Sequence, residues 1–93
     1  MLSIRARICL LPKSEGGFRQ PVASGIQPSM SIKGDLVACK ILTGRDGELI
    51  VPGREYEVRI DLGYGEVYAD ALVPGFKFSL NLASRVIGHG EII

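Results

Sequence analysis

Few side chains in this chain are equipped for covalent chemistry, and they stand apart from one another. His89 is the only histidine among 93 residues, which excludes the zinc motifs built on two histidines. No acid or nucleophile stands at a spacing that strand geometry would place beside it. Glu55 and Glu57 share one face of an extended segment and could form a carboxylate pair of the kind used in glycoside hydrolysis. They flank Tyr56 on the polar side of that segment, however, so a solvated face is the expected reading. Cys9 shares a face with Arg5 and Arg7, a setting in which cations can activate a thiol. Nothing in the sequence fixes its exposure, and an inert thiol is expected. No enzyme is expected from these groups, because titratable residues do not converge in the sequence.

The glycine pairs Gly16-Gly17, Gly63-Tyr64-Gly65 and Gly88-His89-Gly90 lack the Lys-Ser or Lys-Thr of a phosphate-cradling loop, and none leads into a helix. Neither GTP binding nor any other cofactor is expected. Gly88 and Gly90 instead predict a bulge or a close backbone crossing at a barrel corner. The constellation with most functional promise is basic: Arg5, Arg7, Lys13, Arg19 and Lys33, with Phe18 as the one aromatic that could stack on a base. An ordinary solvated surface is the competing reading. Residues 1–45 hold seven Lys or Arg against two acids, and residues 46–93 hold four against eight, so the halves carry +5 and −4. If strand order keeps the halves apart, the molecule is electrically polar and its basic side could attract an acidic protein or a phosphate backbone; interleaved strands would erase this.

Strands must position these residues. In Tyr56–Leu62 every second residue is apolar and those between are charged, so one face is buried and the other wet. Phe76–Leu82 repeats the pattern, as do Ile4, Ala6, Ile8 and Leu10 with Arg5 and Arg7 facing the other way. Further strands are predicted around Ser29–Lys33, Leu36–Leu42, Glu48–Val51 and Arg85–Ile93, with helix limited to a single turn. Arg45-Asp46-Gly47 predicts a tight hairpin turn, and Pro52-Gly53 and Pro74-Gly75 punctuate in the same way. Six or seven short strands in one domain spanning residues 1–93 must close on themselves or pair as two sheets. The spacing alone does not choose between barrel and sandwich. At 46% hydrophobic residues, the chain can bury roughly 60 to 70% of its unfolded surface. Cys9 and Cys39 form neither a disulfide framework nor a metal pattern, which points to a reduced, cytoplasmic setting. No run approaches the roughly 20 apolar residues of a membrane span, so no membrane association is expected.

The order of several motifs resembles a known family. Glu15-Gly16-Gly17, then Pro21, Ser24-Gly25 and Pro28, are similar to the opening of the third, C-terminal domain of bacterial elongation factor Tu. Leu49-Ile50-Val51-Pro52-Gly53 is similar to that family's Met-Val-Met-Pro-Gly. Phe78-Ser79-Leu80, followed by Arg85-Val86-Ile87-Gly88-His89-Gly90, resembles its closing Phe-Ala-Ile and Arg-Thr-Val-Gly-Ala-Gly. The resemblance runs from about Ile4 to Ile92 and implies an all-β fold, a small closed six-stranded antiparallel barrel without its GTPase. It implies a module that binds rather than catalyses, docking on a protein and touching the T-arm of tRNA. The scaffold positions match, whereas those that face RNA are mostly replaced; Lys13, Arg19 and Arg85 are the cations that remain near them. Two functions are therefore expected in turn: a stand-alone module for protein partners or self-association, through Phe18, Val22 and Ile26 of the long loop, or an RNA-binding accessory of translation.

Overall fold

Alternating side chains build eight strands among the described residues. The computed structural model describes residues 1–45 and 47–93. The strands are β1 (Leu2–Leu10), β2 (Val22–Ala23), β3 (Ser29–Ile32), β4 (Asp35–Leu42), β5 (Leu49–Ile50), β6 (Glu55–Leu62), β7 (Lys77–Leu82) and β8 (Arg85–Ile92). Six of them close into an antiparallel barrel in the order β1-β6-β4-β3-β7-β8, while β2 and β5 form a separate two-stranded sheet. Closure rests on β1, which pairs with β6 through Ile4 opposite Ile60 and with β8 through Ala6 opposite Ile92. Closing the six strands into a cylinder hides their inward apolar faces and removes the open edges of that sheet.

The two-residue period does what it predicts. Val58, Ile60 and Leu62 of β6 point inward and are buried, while Glu55, Glu57 and Arg59 face solvent. Ile8, Leu10, Met30, Ile32, Ile41, Leu80 and Ile87 complete a fully buried centre, each contributing about 1.5 to 3 kcal/mol by leaving water. The β3–β4 connection is the two-residue turn Lys33-Gly34 with φ values of 51° and 85°, the doubly left-handed pattern that matches strand twist. That conformation ends β3 at Ile32, one residue earlier than expected. The connection from β7 to β8 is Ala83-Ser84, with Ala83 also left-handed.

Gly90 shows the close approach expected of it. A Cβ there would lie 2.4 Å from Cζ of Phe78, and one at Gly88 would lie 3.0 Å from the Cys9 carbonyl oxygen. The strand pairing slips where Leu80 lies opposite Gly88 and Asn81 opposite Val86, so the extra residue is Ile87 and the bulge lies on β8 beside Gly88. Among the described residues helix is confined to 3₁₀ turns at Lys13–Glu15 and Gly65–Tyr68. The expected hairpin at Arg45-Asp46-Gly47 includes Asp46, which lies outside the described residues. The strand β2, inside a segment read as loop, is an addition to the expected set. Strand direction sorts the connections between two ends: the segments 11–28, 43–45, 47–54 and 83–84 lie at one, and 33–34, 63–76 and both termini at the other.

Candidate functional site

Arg5 and Arg7 stand on the outer wall of β1, where neighbours from β6 and β8 set their electrostatics. Arg5 lies opposite Arg59, and Arg7 lies between Glu57 and Glu91. Oε2 of Glu57 is 3.7 Å from Nη2 of Arg5 and its Oε1 is 3.8 Å from Nη2 of Arg7, so one carboxylate serves two guanidiniums at exposed positions where such pairs contribute little. Arg59 donates to both oxygens of Asp61, from Nε at 3.1 Å and from Nη2 at 3.3 Å, and the Ser3 hydroxyl donates to Oδ1 at 2.7 Å. The Ser3 hydrogen bond, followed by those and the charge of Arg59 and by the charge of Lys40, holds the Asp61 carboxyl below its usual range. Arg5, Glu57, Val58 and Arg59, with Leu42 at the end of β4 and Thr43 and Gly44 beyond it, line a cleft of about 390 Å³. Strand order therefore interleaves the two halves here. β1, from the basic half, sits between β6 and β8 from the acidic half, and the charge asymmetry along the sequence does not become two oppositely charged faces at this wall.

His89 acquires neighbours that its own strand does not supply, a correction to the expectation that no nucleophile or acid stands beside it. Cys9 lies directly opposite His89 on β8 and opposite Glu55 on β6. Arg7, Cys9, Glu55, Lys77, His89 and Glu91 share a cleft of about 220 Å³ on the outer wall. The row is made by pairing strands from opposite ends of the chain, so no local signal announces it. Cys39 points the other way, into the barrel, where burial pushes its thiol up to about 12. Among the described residues no group of three or more His, Cys, Asp or Glu side chains is arranged to hold a metal ion.

The remaining expected contacts do not gather with Arg5 and Arg7. Lys13, Arg19 and Arg85 are exposed at the end that carries the long loop, whereas Lys33 is exposed in the tight turn at the opposite end. Phe18 is half-buried and packs on the core together with Val22 and Ile26. The ring expected to stack on a base, and the loop patch expected to dock on a partner, are both turned inward. The reason is local: a Cβ on Gly17 would lie 1.8 Å from the Leu11 carbonyl oxygen, and that carbonyl accepts the Phe18 N–H at 2.8 Å, which folds the loop back over the barrel mouth.

Exposed apolar surface lies instead at the other end, a feature the sequence reading missed. The segment between β6 and β7 carries Tyr64 and Val67, 82% and 80% exposed. Met1, whose amino group contacts Glu66, is exposed beside them. The Tyr68 hydroxyl donates to Asp35 at 2.8 Å, bringing exposed Leu36 to the same end and raising the phenol above its ordinary value. With Val73 and Ile93, six of the eight large exposed apolar side chains among the described residues lie here. The only available signal was the apolar composition of residues 63–76, which hold two acids and neither Lys nor Arg. No family model matches this chain. No helix among the described residues is long and apolar enough to cross a membrane.

Proposed function

We propose that this chain is a non-catalytic binding module that acts through protein–protein contact, derived from a barrel of the kind that forms the third domain of elongation factor Tu. The observation that carries the reading is the apolar end around Tyr64 and Val67, since exposed apolar side chains gathered in one place mark association surfaces whereas single ones do not. The closed six-stranded antiparallel barrel is the fold that the resemblance implies, and the close approaches at Gly17 and Gly90 give physical reasons for two of its motifs. The dispersal of Arg5, Arg7, Lys13, Arg19, Lys33 and Arg85 over the wall and both ends argues against a continuous track for RNA, and Phe18 is turned inward. Protein contact is accordingly favoured over the RNA-binding alternative, in a cytoplasmic setting linked to translation.

Light scattering over a concentration series, with and without co-purified partner, tests the reading. Self-association or partner binding is expected for the native chain and is lost when Tyr64→Ser and Val67→Ser are combined. A chain that stays monomeric throughout with no partner recovered, or one whose association survives both substitutions, would overturn it. Both positions are exposed, so the barrel itself is expected to survive.

A further inference from the structure

The wall where β1, β6 and the end of β4 meet places two arginines face to face. Arg5 and Arg59 are direct cross-strand partners, and like charges in that relation destabilise a sheet. Each guanidinium has a different standing. Arg59 is fixed by two hydrogen bonds to Asp61, itself anchored by Ser3, so its orientation is set in advance and its Nη1 remains outside those bonds. Arg5 makes no side-chain hydrogen bond among the described residues, its nearest carboxylate oxygen being 3.7 Å away. Arg5 and Arg59 border the 390 Å³ cleft, which falls at the small end of the range for ligand sites. On its far rim Gly44 offers bare backbone, with open space where a Cβ would stand.

We infer that this cleft binds a compact phosphate-bearing ligand, bridged by the guanidiniums of Arg5 and Arg59. A phosphate placed between them converts a repulsive cross-strand pair into two charge-assisted contacts, and the planar fork of arginine suits that geometry. Glu57 in the same cleft limits the site. Among the described residues the lining carries Arg5 and Arg59 against Glu57, and Asp61, hydrogen-bonded to Arg59, offsets the second arginine. An extended RNA backbone along this wall would meet the charges of Glu57 and Asp61, which favours a compact anion over a polymer. The site is independent of the apolar end, so its failure leaves the protein-contact reading standing, and the reverse.

Calorimetric titration of the whole chain with inorganic pyrophosphate at low salt tests this. Saturable binding is expected, weakened about tenfold or more by Arg5→Gln and by Arg59→Gln, the range for loss of a hydrogen-bonded charge contact. Glu57→Gln is expected to tighten binding, and Arg54→Gln, which removes an equal charge elsewhere, to leave it unchanged. Arg5→Gln is the cleaner loss variant, because it breaks no hydrogen bond and relieves a repulsion in the free protein. Absence of pyrophosphate binding, equal binding by Arg5→Gln and native chains, or an equal loss in Arg54→Gln would overturn the assignment. Arginine-dependent binding of single-stranded RNA with none of pyrophosphate would also overturn it, in favour of a nucleic-acid surface.

Discussion

Cys9 and Cys39 show how one strand offset decides the chemistry of a residue. Cys39 faces the interior, where its thiol is pushed up to about 12, and Cys9 faces the outer wall half-exposed. Iodoacetamide at pH 8 is expected to alkylate Cys9 in the native protein and to spare Cys39 until urea unfolds it, as peptide mass mapping would show. Equal labelling of both cysteines in the folded protein would contradict the assigned facing. Asp61 supplies a second residue-scale test. Its folded-state carboxyl lies below the unfolded value, so the ionised group adds stability above the ordinary carboxylate range, and that stability is lost as pH falls through the folded value. Ser3→Ala removes the largest cause, so the Asp61 titration followed by NMR is expected to move up and the acid-unfolding midpoint to rise with it. The facing of Cys9 with Arg5 and Arg7 was legible in the sequence because residues two apart share a strand face. Its position opposite His89 was not, because pairing partners come from elsewhere in the chain.

At the scale of elements, the glycines carry the sharpest predictions. A methyl at position 90 would meet the Phe78 ring and one at position 17 a backbone carbonyl, and overpacking of this kind typically costs 1 to 3 kcal/mol. Gly90→Ala is expected to lose about 2 kcal/mol in urea denaturation, since a ring can shift. Gly17→Ala is expected to lose about 3 kcal/mol or more, since the Leu11 carbonyl cannot move without its strand. Loss below about 0.5 kcal/mol for both would show that the crossings are loose. Lys33→Asn is expected to stabilise modestly, by up to about 1 kcal/mol, because asparagine tolerates the left-handed conformation better than lysine. The long strands were visible because each repeats its alternation several times. The two residues of β2 are too few to display any period, and Phe18, Val22 and Ile26 read as a surface patch because a loop's facing depends on what it folds against.

For the whole molecule, closure is the decisive event. β1 and β8 come from opposite ends of the chain and complete the cylinder by pairing with each other. Removing residues 85–93 opens the seam, exposes Ile87 and Ile92 and strips partners from both β1 and β7. The shortened chain is expected to lose its cooperative urea transition and its β-type circular dichroism, and retention of a sharp transition would show that closure is dispensable. Ile60→Ala, in the centre of the core and fully buried, is expected to lose 2 to 5 kcal/mol while keeping one cooperative transition.

The sequence by itself determined the long strands and, for β1, β6 and β7, which side is buried, because a two-residue period is a property of neighbouring residues and survives any arrangement of the strands. It also marked Gly88 and Gly90 as a place of close approach, since an absent side chain is visible without knowing what would have struck it. Only the tertiary structure decided that Arg5 faces Arg59, that Cys9 faces His89, that the charged halves interleave, and that the apolar surface gathers around Tyr64 and Val67. Those facts depend on strand order and register, which are set by the packing of the entire core and are written in no single stretch of residues.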